Sequence, residues 1–193
     1  LNATMEFSNL EIKPNLMRFE KKDYELVEKL MRKAGELGLL AVSVPEKYQG
    51  LGMGFNTGML ICEEISSLSG SIATAFGAHT GIGTLPILLY GSEEQTLHYL
   101  PKISSGEWMA CYNLTEPDAG SDANSGKTKA VPNADGSSYV INGQKMWITN
   151  AGFADVLAVF AKIDDDENLN AFKGDIRDQD LLKKILTSID LTL

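Results

Sequence analysis

The chain has 193 residues, of which 44% are hydrophobic and 22% are charged, and its formal net charge is −9. This composition predicts a folded globular protein and excludes a disordered one, which would be poorer in apolar residues and richer in charge. The acidic balance argues against nucleic acid as a partner, because contacts to phosphates require basic patches.

The first hundred residues predict helices. Residues 19–39 carry apolar side chains at i, i+3, i+4 spacing, which is typical of a helix with one buried stripe. Asn56 is a suitable N-cap for a second helix. Residues 72–90 are apolar almost all round, which indicates a central buried helix. Ser92 begins a fourth helix, with a loose capping box, and this helix is expected to end before Pro101.

From Gly106 onwards the pattern changes to short runs of β character. We predict strands at residues 108–114, 127–131, 138–141, 145–149 and 154–163. The Asn142-Gly143 pair between two apolar runs predicts a tight hairpin turn. The fold class is therefore α+β, an all-α bundle followed by a partial antiparallel β-barrel. The expected domains are residues 1–105, residues 106–170, and an atypical tail at residues 171–193 that reads as an amphipathic helix.

The sequence shows neither a metal motif nor a catalytic acid or base. Cys62 and Cys111 have no metal-ligand spacing, so we expect two reduced thiols acting as small apolar groups. His79 and His98 have no carboxylate or thiol at a useful spacing. We expect His79 to be a packed or helix-facing residue, because it lies on the apolar third helix, and His98 to be an exposed helix residue. The N-terminus shows no secretory signal, and we expect no apolar run to approach the ~18–20 residues that span a bilayer.

Two segments of the predicted β-domain carry residues suited to a ligand. Residues 112–122 (YNLTEPDAGSD) form a polar loop with hydroxyls and backbone N–H groups, which suits a polar ligand but also fits an ordinary surface turn. Residues 146–150 (MWITN) are predicted as a strand. On a strand, Trp147 and Thr149 share a face, which places a flat ring beside a hydroxyl. A core tryptophan with a β-branched neighbour is the alternative.

Together these two segments resemble a known family. Residues 112–122 are similar to the signature loop of acyl-CoA dehydrogenases, and residues 142–150 (NGQKMWITN) are similar to the second signature of that family, in the same order. Supporting matches lie upstream at residues 36–40 (ELGLL), 44–52 (VPEKYQGLG) and 91–95 (GSEEQ). The resemblance covers about residues 20–165.

The resemblance implies FAD-dependent α,β-dehydrogenation of an acyl-CoA thioester, with hydride passing to flavin N5. It implies cofactor contacts from Tyr112, Leu114, Thr115, Gly120, Ser121, Trp147, Ile148 and Thr149. Thr115 would hydrogen-bond the pyrimidine side of the flavin, Trp147 would pack on the isoalloxazine, and Thr149 would donate near N5. Ser121 would also contact the CoA substrate, although Asp118 stands where the family usually has a small residue.

In this family the base that removes the α-proton is a glutamate of a C-terminal helical domain, and the matching pattern fails after about residue 168. We therefore expect a truncated chain, inactive alone, that holds half of an active site. A non-catalytic homologue acting as a binding or interaction module is the alternative. The implied partners are acyl-CoA, an electron-transfer flavoprotein and further copies of the chain. The expected location is the cytoplasm, or the mitochondrial matrix in a eukaryote.

Overall fold

The structure, a computed structural model, describes residues 2–136 and 138–163, together with the backbone of residues 170–174. The α-helices of this part are α1 (Asn2–Phe7), α2 (Leu16–Glu20), α3 (Tyr24–Glu36), α4 (Phe55–Leu68), α5 (Gly70–Gly77), α6 (Leu85–Tyr90) and α7 (Glu93–Ser105). The strands are β1 (Ala110–Asn113), β2 (Lys129–Pro132), β3 (Tyr139–Asn142), β4 (Val156–Ile163) and β5 (Asn170–Gly174). The predicted helix at residues 175–193 lies outside the described residues.

Helix α3 carries the predicted apolar stripe. It begins after Asp23, whose carboxylate accepts a hydrogen bond from the Leu26 N–H at 3.1 Å and so caps the helix. Arg18 holds the same carboxylate at 2.6 Å. The buried side chains of the stripe are Leu26, Val27, Leu30, Met31 and Ala34, and they pack into the main core with α1, α2, α4 and α5. The prediction of an amphipathic helix is confirmed, but its bounds of residues 19–39 are wrong, because Lys22 has a φ of +58° and Asp23 caps a new helix there.

The predicted N-cap of the second helix is wrong by two positions. Helix α4 begins at Phe55, and Gly54 is its N-cap without a side-chain hydrogen bond. Asn56 therefore lies inside the first turn. Glycine is also favoured at an N-cap, so the residue before Phe55 competes with Asn56 for that role.

Helix α7 confirms the capping box and corrects the predicted end. Ser92 Oγ accepts a hydrogen bond from the Gln95 N–H at 3.2 Å, and the Gln95 side chain accepts one from the Ser92 N–H at 3.0 Å. The helix continues through Pro101 to Ser105 and stops where Gly106 adopts a φ of +78°. A proline is compatible with a helix that packs well, because its cost is offset by burial of neighbours such as Leu100 and Ile103.

Residues Gly70–Tyr90 form one helical stretch, with a π-helical segment at Ala78–Gly83 between α5 and α6. By length and composition alone this stretch of 21 residues is long and apolar enough to cross a membrane. The expectation that no run approaches that length is wrong. Glycines, threonines and His79 divide the stretch in the sequence, but none of them carries a formal charge, so the whole stretch remains apolar on average. The core helix of a globular protein can have the same length and composition, and within this stretch His79 is fully buried against β1.

The strands form a mixed sheet in the order β1-β4-β2-β3, with β5 also paired to β4. The α+β class is confirmed, but the pairing is not wholly antiparallel. Strand β4 runs parallel to β1, with Ala110 opposite Val156, and parallel to β2, with Lys129 opposite Lys162. Parallel pairs require long connections, and the ligand-type loops predicted from the sequence are parts of those connections.

The predicted strand at residues 145–149 is absent, and so is the predicted Asn142-Gly143 hairpin. Strand β3 ends at Asn142, and residues 143–155 run to β4 as turns and irregular chain. Trp147 and Asn150 have φ values of +57° and +70°, which are incompatible with an extended strand. Strand β3 instead pairs with β2, across residues 133–138.

Gly143 is required for close packing rather than for a hairpin turn. A Cβ atom added there would lie 2.3 Å from Thr128 Oγ1 and 2.6 Å from Thr128 Cα. Gly143→Ala is therefore expected to lower the free energy of unfolding by about 1–3 kcal/mol, the usual cost of overpacking. Thermal or urea unfolding measures the effect. Gly152→Ala in the same connection is the matched control, because nothing lies within 4 Å of its added Cβ. Equal stability of the two variants would contradict the assignment.

Candidate functional site

The loop that follows β1 is closed at its base by the side chain of Glu116. The Glu116 carboxylate accepts hydrogen bonds from the Lys127 N–H at 2.5 Å and from the Thr128 N–H at 3.2 Å. Glu116 also pairs with Ala119 through two backbone hydrogen bonds of 3.1 Å. The loop is therefore a closed unit at its base, and its tip carries the exposed Gly120 and Ser121.

The second signature segment is hydrogen-bonded directly to this loop. The Met146 N–H donates to the Thr115 carbonyl at 2.9 Å. Lys145 Nζ lies 2.6 Å from Glu116 Oε1 and donates to the Leu114 carbonyl at 3.0 Å. Burial alone would raise the pKa of the Glu116 carboxyl, but Lys145 and the donors from Thr128 and Lys127 hold that pKa below its ordinary value. The two segments predicted from the sequence thus lie side by side.

Trp147 is presented to the surface by an unusual backbone. Its side chain is 65% exposed, and its φ of +57° is rare for an aromatic residue. On one side Lys145 holds the chain, and on the other Asn150 Nδ2 donates to the Ala75 carbonyl at 2.9 Å. Ile148 packs into the small core around Leu157. The backbone is therefore anchored on both sides of an indole that remains outside.

The predicted cofactor residues differ in what they offer. Within the part of the chain that the structure describes, the side-chain hydroxyls of Thr115, Ser121 and Thr149 form no hydrogen bond, so they are available to a ligand. Tyr112 and Leu114 are half-buried, and the Tyr112 ring lies against Phe160 at a centroid distance of 4.7 Å. Of the remaining residues, Gly120 and Trp147 are exposed. Ile148 is buried and therefore offers a ligand only its backbone atoms.

The structure does not bring Trp147 and Thr149 to one cavity. Thr149 lines a cavity of about 450 Å³ beside α5, together with Phe19, Thr74 and Phe153, and Trp147 is not among its lining residues. The expectation that both share one strand face is wrong, because the positive φ of Trp147 breaks the alternation of side chains. The two residues therefore reach a common ligand only if that ligand extends from one position to the other.

A second, apolar cavity of about 350 Å³ lies between α4 and residues 76–88. Its walls include Met59, Phe76 and Leu88, with Cys62 half-buried among them. Cys111 is buried elsewhere, and burial raises the pKa of its thiol to about 12, so it acts as a small apolar group as predicted. None of the predicted cofactor residues lines this cavity among the described residues.

The sequence interpretation missed three residues that organise the site: Glu116, Lys145 and Asn150. All three lie inside the two signature segments, but a charged residue in a polar loop looks solvated when read alone. Asp118 is the carboxylate that stands where the family usually has a small residue. Its side chain points outward, 68% exposed, and pairs with Lys127 Nζ at 2.7 Å. Its charge is therefore partnered within the loop.

The fold consists of a helical bundle followed by a small mixed sheet, and two adjacent signature loops lie at that sheet. This arrangement defines a two-part α+β protein of the acyl-CoA dehydrogenase type. Residues 1–107 match the acyl-CoA dehydrogenase N-terminal domain, and residues 111–178 match the middle domain. The chain belongs to the acyl-CoA dehydrogenase family.

Individual relatives agree with this assignment. A probable acyl-CoA dehydrogenase of Bacillus subtilis (strain 168) is 48% identical over 165 residues, which are 86% of this chain and 28% of that protein. The mitochondrial isovaleryl-CoA dehydrogenase of Bos taurus is 42% identical over 142 residues, 74% of this chain and 33% of that protein. The crystal structure of an acyl-CoA dehydrogenase complexed with FAD from Bacillus anthracis superposes with a TM-score of 0.86 at 46% identity, covering 91% of this chain and 30% of that one. The chain thus spans about a third of the length of these relatives.

Proposed function

We propose that this chain forms the FAD-binding part of an enzyme that dehydrogenates an acyl-CoA thioester between its α and β carbons. The observation that carries the proposal is the exposed Trp147 indole, anchored on both sides and placed beside a loop with available hydroxyls. A flat apolar ring next to polar donors suits a planar heteroaromatic group with polar edges. The FAD-complexed relative from Bacillus anthracis supports the choice of flavin.

The chain's own residues would share the work of binding. Trp147 would cover one side of the ring system and exclude water from it, while Thr115 and Thr149 would donate hydrogen bonds to its polar edge. Tyr112, Leu114, Gly120 and Ser121 would hold the remainder of FAD along the loop, with Ile148 contributing backbone atoms. Ser121 would also contact the CoA portion of the substrate. FAD, when bound, supplies the acceptor for the hydride that leaves the β carbon.

The α carbon is a weak acid, so removal of its proton requires a positioned base, and the family resemblance implies a carboxylate for that role. Within the loop, the Glu116 carboxylate is engaged by Lys145 and two backbone donors, and the Asp118 carboxylate is paired with Lys127. We therefore propose that the base comes from a part of the enzyme outside the described residues. An electron-transfer flavoprotein would reoxidise the enzyme.

A non-catalytic interaction module is the second candidate, and exposed apolar side chains of the helical domain favour it. Phe55, Met59 and Leu85 are 72%, 46% and 38% exposed, and all three line the apolar cavity beside α4. Apolar side chains that group on a surface are typical of contacts with another protein segment.

Reconstitution with FAD distinguishes the two candidates. The purified chain is incubated with excess FAD, freed of unbound cofactor, and examined for visible flavin absorption and for quenching of flavin fluorescence. We expect a yellow protein with quenched fluorescence, because an indole that stacks on the flavin quenches it. A colourless protein that remains folded by circular dichroism would contradict FAD binding by this chain and favour the interaction module.

A further inference from the structure

Glu116 and Lys145 form a buried ion pair that joins the two signature segments. Both side chains are only 5% exposed, and the two charged atoms lie 2.6 Å apart. Charged residues are rarely buried to this extent unless they are paired. Neither residue belongs to the set predicted to contact the cofactor, so the pair needs an explanation of its own.

The hydrogen bonds around the pair are nearly complete. Glu116 receives the Lys127 and Thr128 N–H groups in addition to Lys145, and Lys145 also donates to the Leu114 carbonyl. These contacts fix three stretches of chain at one point: the start of the loop, its end, and the segment that leads to Trp147. A buried pair often contributes little net stability over an apolar replacement, so its best-supported role is to specify one arrangement of the chain.

The position of the pair in the chain indicates what it arranges. Glu116 directly follows Thr115, and Lys145 precedes Trp147 by two residues. Between them lies the hydrogen bond from the Met146 N–H to the Thr115 carbonyl, at 2.9 Å. A displacement of Lys145 relative to Glu116 would therefore move the indole relative to the loop.

We propose that Glu116 and Lys145 are positioning residues, which set the distance between the Thr115 loop and the Trp147 segment so that both contact one cofactor. The role of the pair in cofactor binding rests on the proposed function, whereas the coupling of the two segments does not depend on it. The residues themselves do not touch the ligand. They act by holding the groups that do, as supporting residues behind a binding site commonly do.

Three variants test the proposal. Lys145→Met leaves the Glu116 charge buried without its partner, and Glu116→Gln removes the charge while keeping the shape. Glu116→Gln combined with Lys145→Met removes both charges, so it is expected to fold even where Lys145→Met does not. Asp118→Asn is the matched control, because it removes an exposed ion pair of 2.7 Å from the same loop.

The first measurement is the FAD dissociation constant of the folded protein. We expect the double variant to recover the thermal stability lost in Lys145→Met but to bind FAD at least about tenfold more weakly than wild type, by analogy with the loss seen when residues that support metal ligands are replaced. Asp118→Asn should bind FAD as wild type does. A double variant with wild-type affinity would overturn the proposal and leave the pair a structural feature.

The second measurement needs no cofactor and separates this inference from the proposed function. Amide hydrogen exchange of the FAD-free protein should accelerate at Met146 and at Lys127 and Thr128 in the double variant, well below its unfolding temperature. Unchanged exchange at Met146 would show that the pair does not couple the segments. If wild-type protein fails to bind FAD, the proposed function fails, and this exchange experiment still decides the role of the pair.

Discussion

Acidification from pH 7 to pH 4 is expected to lower the free energy of unfolding by about 3 kcal/mol through His79 alone. The His79 ring is fully buried, accepts a hydrogen bond from the Ala110 N–H on Nδ1 at 3.0 Å, and lies with Nε2 3.1 Å from the Ile103 carbonyl. Because Nδ1 is an acceptor, Nε2 carries the proton of a neutral ring. Burial lowers the pKa of His79 to about 4, against the smaller raising effect of the Ile103 carbonyl.

The sign follows from proton binding. Between pH 6.5 and about 4 the unfolded chain protonates this histidine and the folded chain does not, so stability is complete above pH 6.5 and falls as the pH decreases. Urea unfolding at a series of pH values measures it. The free energy of unfolding is plotted against pH for wild type and for His79→Gln. The difference between the two slopes isolates the contribution of His79, because carboxylates such as Glu116 titrate in both proteins. A wild-type slope in His79→Gln would contradict the assignment.

The buried location of His79 was predictable, whereas its partners were not. The apolar surroundings in the sequence indicated a packed residue, and the structure confirms this. Its acceptor on α7 and its donor on β1 are 24 and 31 residues away along the chain. Periodicity describes which face of one helix is buried, but it carries no information on which distant backbone group meets that face.

The absence of long-range information in local sequence patterns also explains why a strand was wrongly predicted at residues 145–149. The run Lys145–Thr149 has strand-like composition, and local propensity favoured a strand after an Asn-Gly turn. Tertiary contacts decided otherwise, since Lys145 is held by Glu116 and Asn150 by Ala75. The family resemblance depends on residue identity, and the two segments that it singled out lie side by side in the structure. It could not supply the backbone conformation of Trp147.

That backbone conformation predicts that two variants lacking the same indole will differ in stability although they lose the same contact with the ligand. Trp147→Gly and Trp147→Ala both remove the indole, but only glycine accepts a φ of +57° without strain. A left-handed conformation costs a residue with a side chain about 1–3 kcal/mol, and glycine avoids that strain in the folded protein. Glycine also has greater freedom in the unfolded chain, which reduces this gain in stability by roughly 1 kcal/mol. We therefore expect Trp147→Gly to be more stable to urea than Trp147→Ala, by up to about 1–2 kcal/mol.

Both variants should nevertheless lose FAD affinity to the same extent. A central aromatic residue that stacks on a ligand typically contributes about 2 kcal/mol or more to binding. Its removal therefore corresponds to a roughly thirty-fold larger dissociation constant. Trp147→Phe, which keeps a flat ring, should retain most of the affinity while keeping the strain. Fluorescence titration with FAD and urea unfolding on the same preparations give both quantities. Unchanged affinity in the glycine variant would remove Trp147 from the site, and greater stability of the alanine variant would show that its backbone is not strained. If both expectations hold, strain at Trp147 is retained because it presents the ring to the ligand.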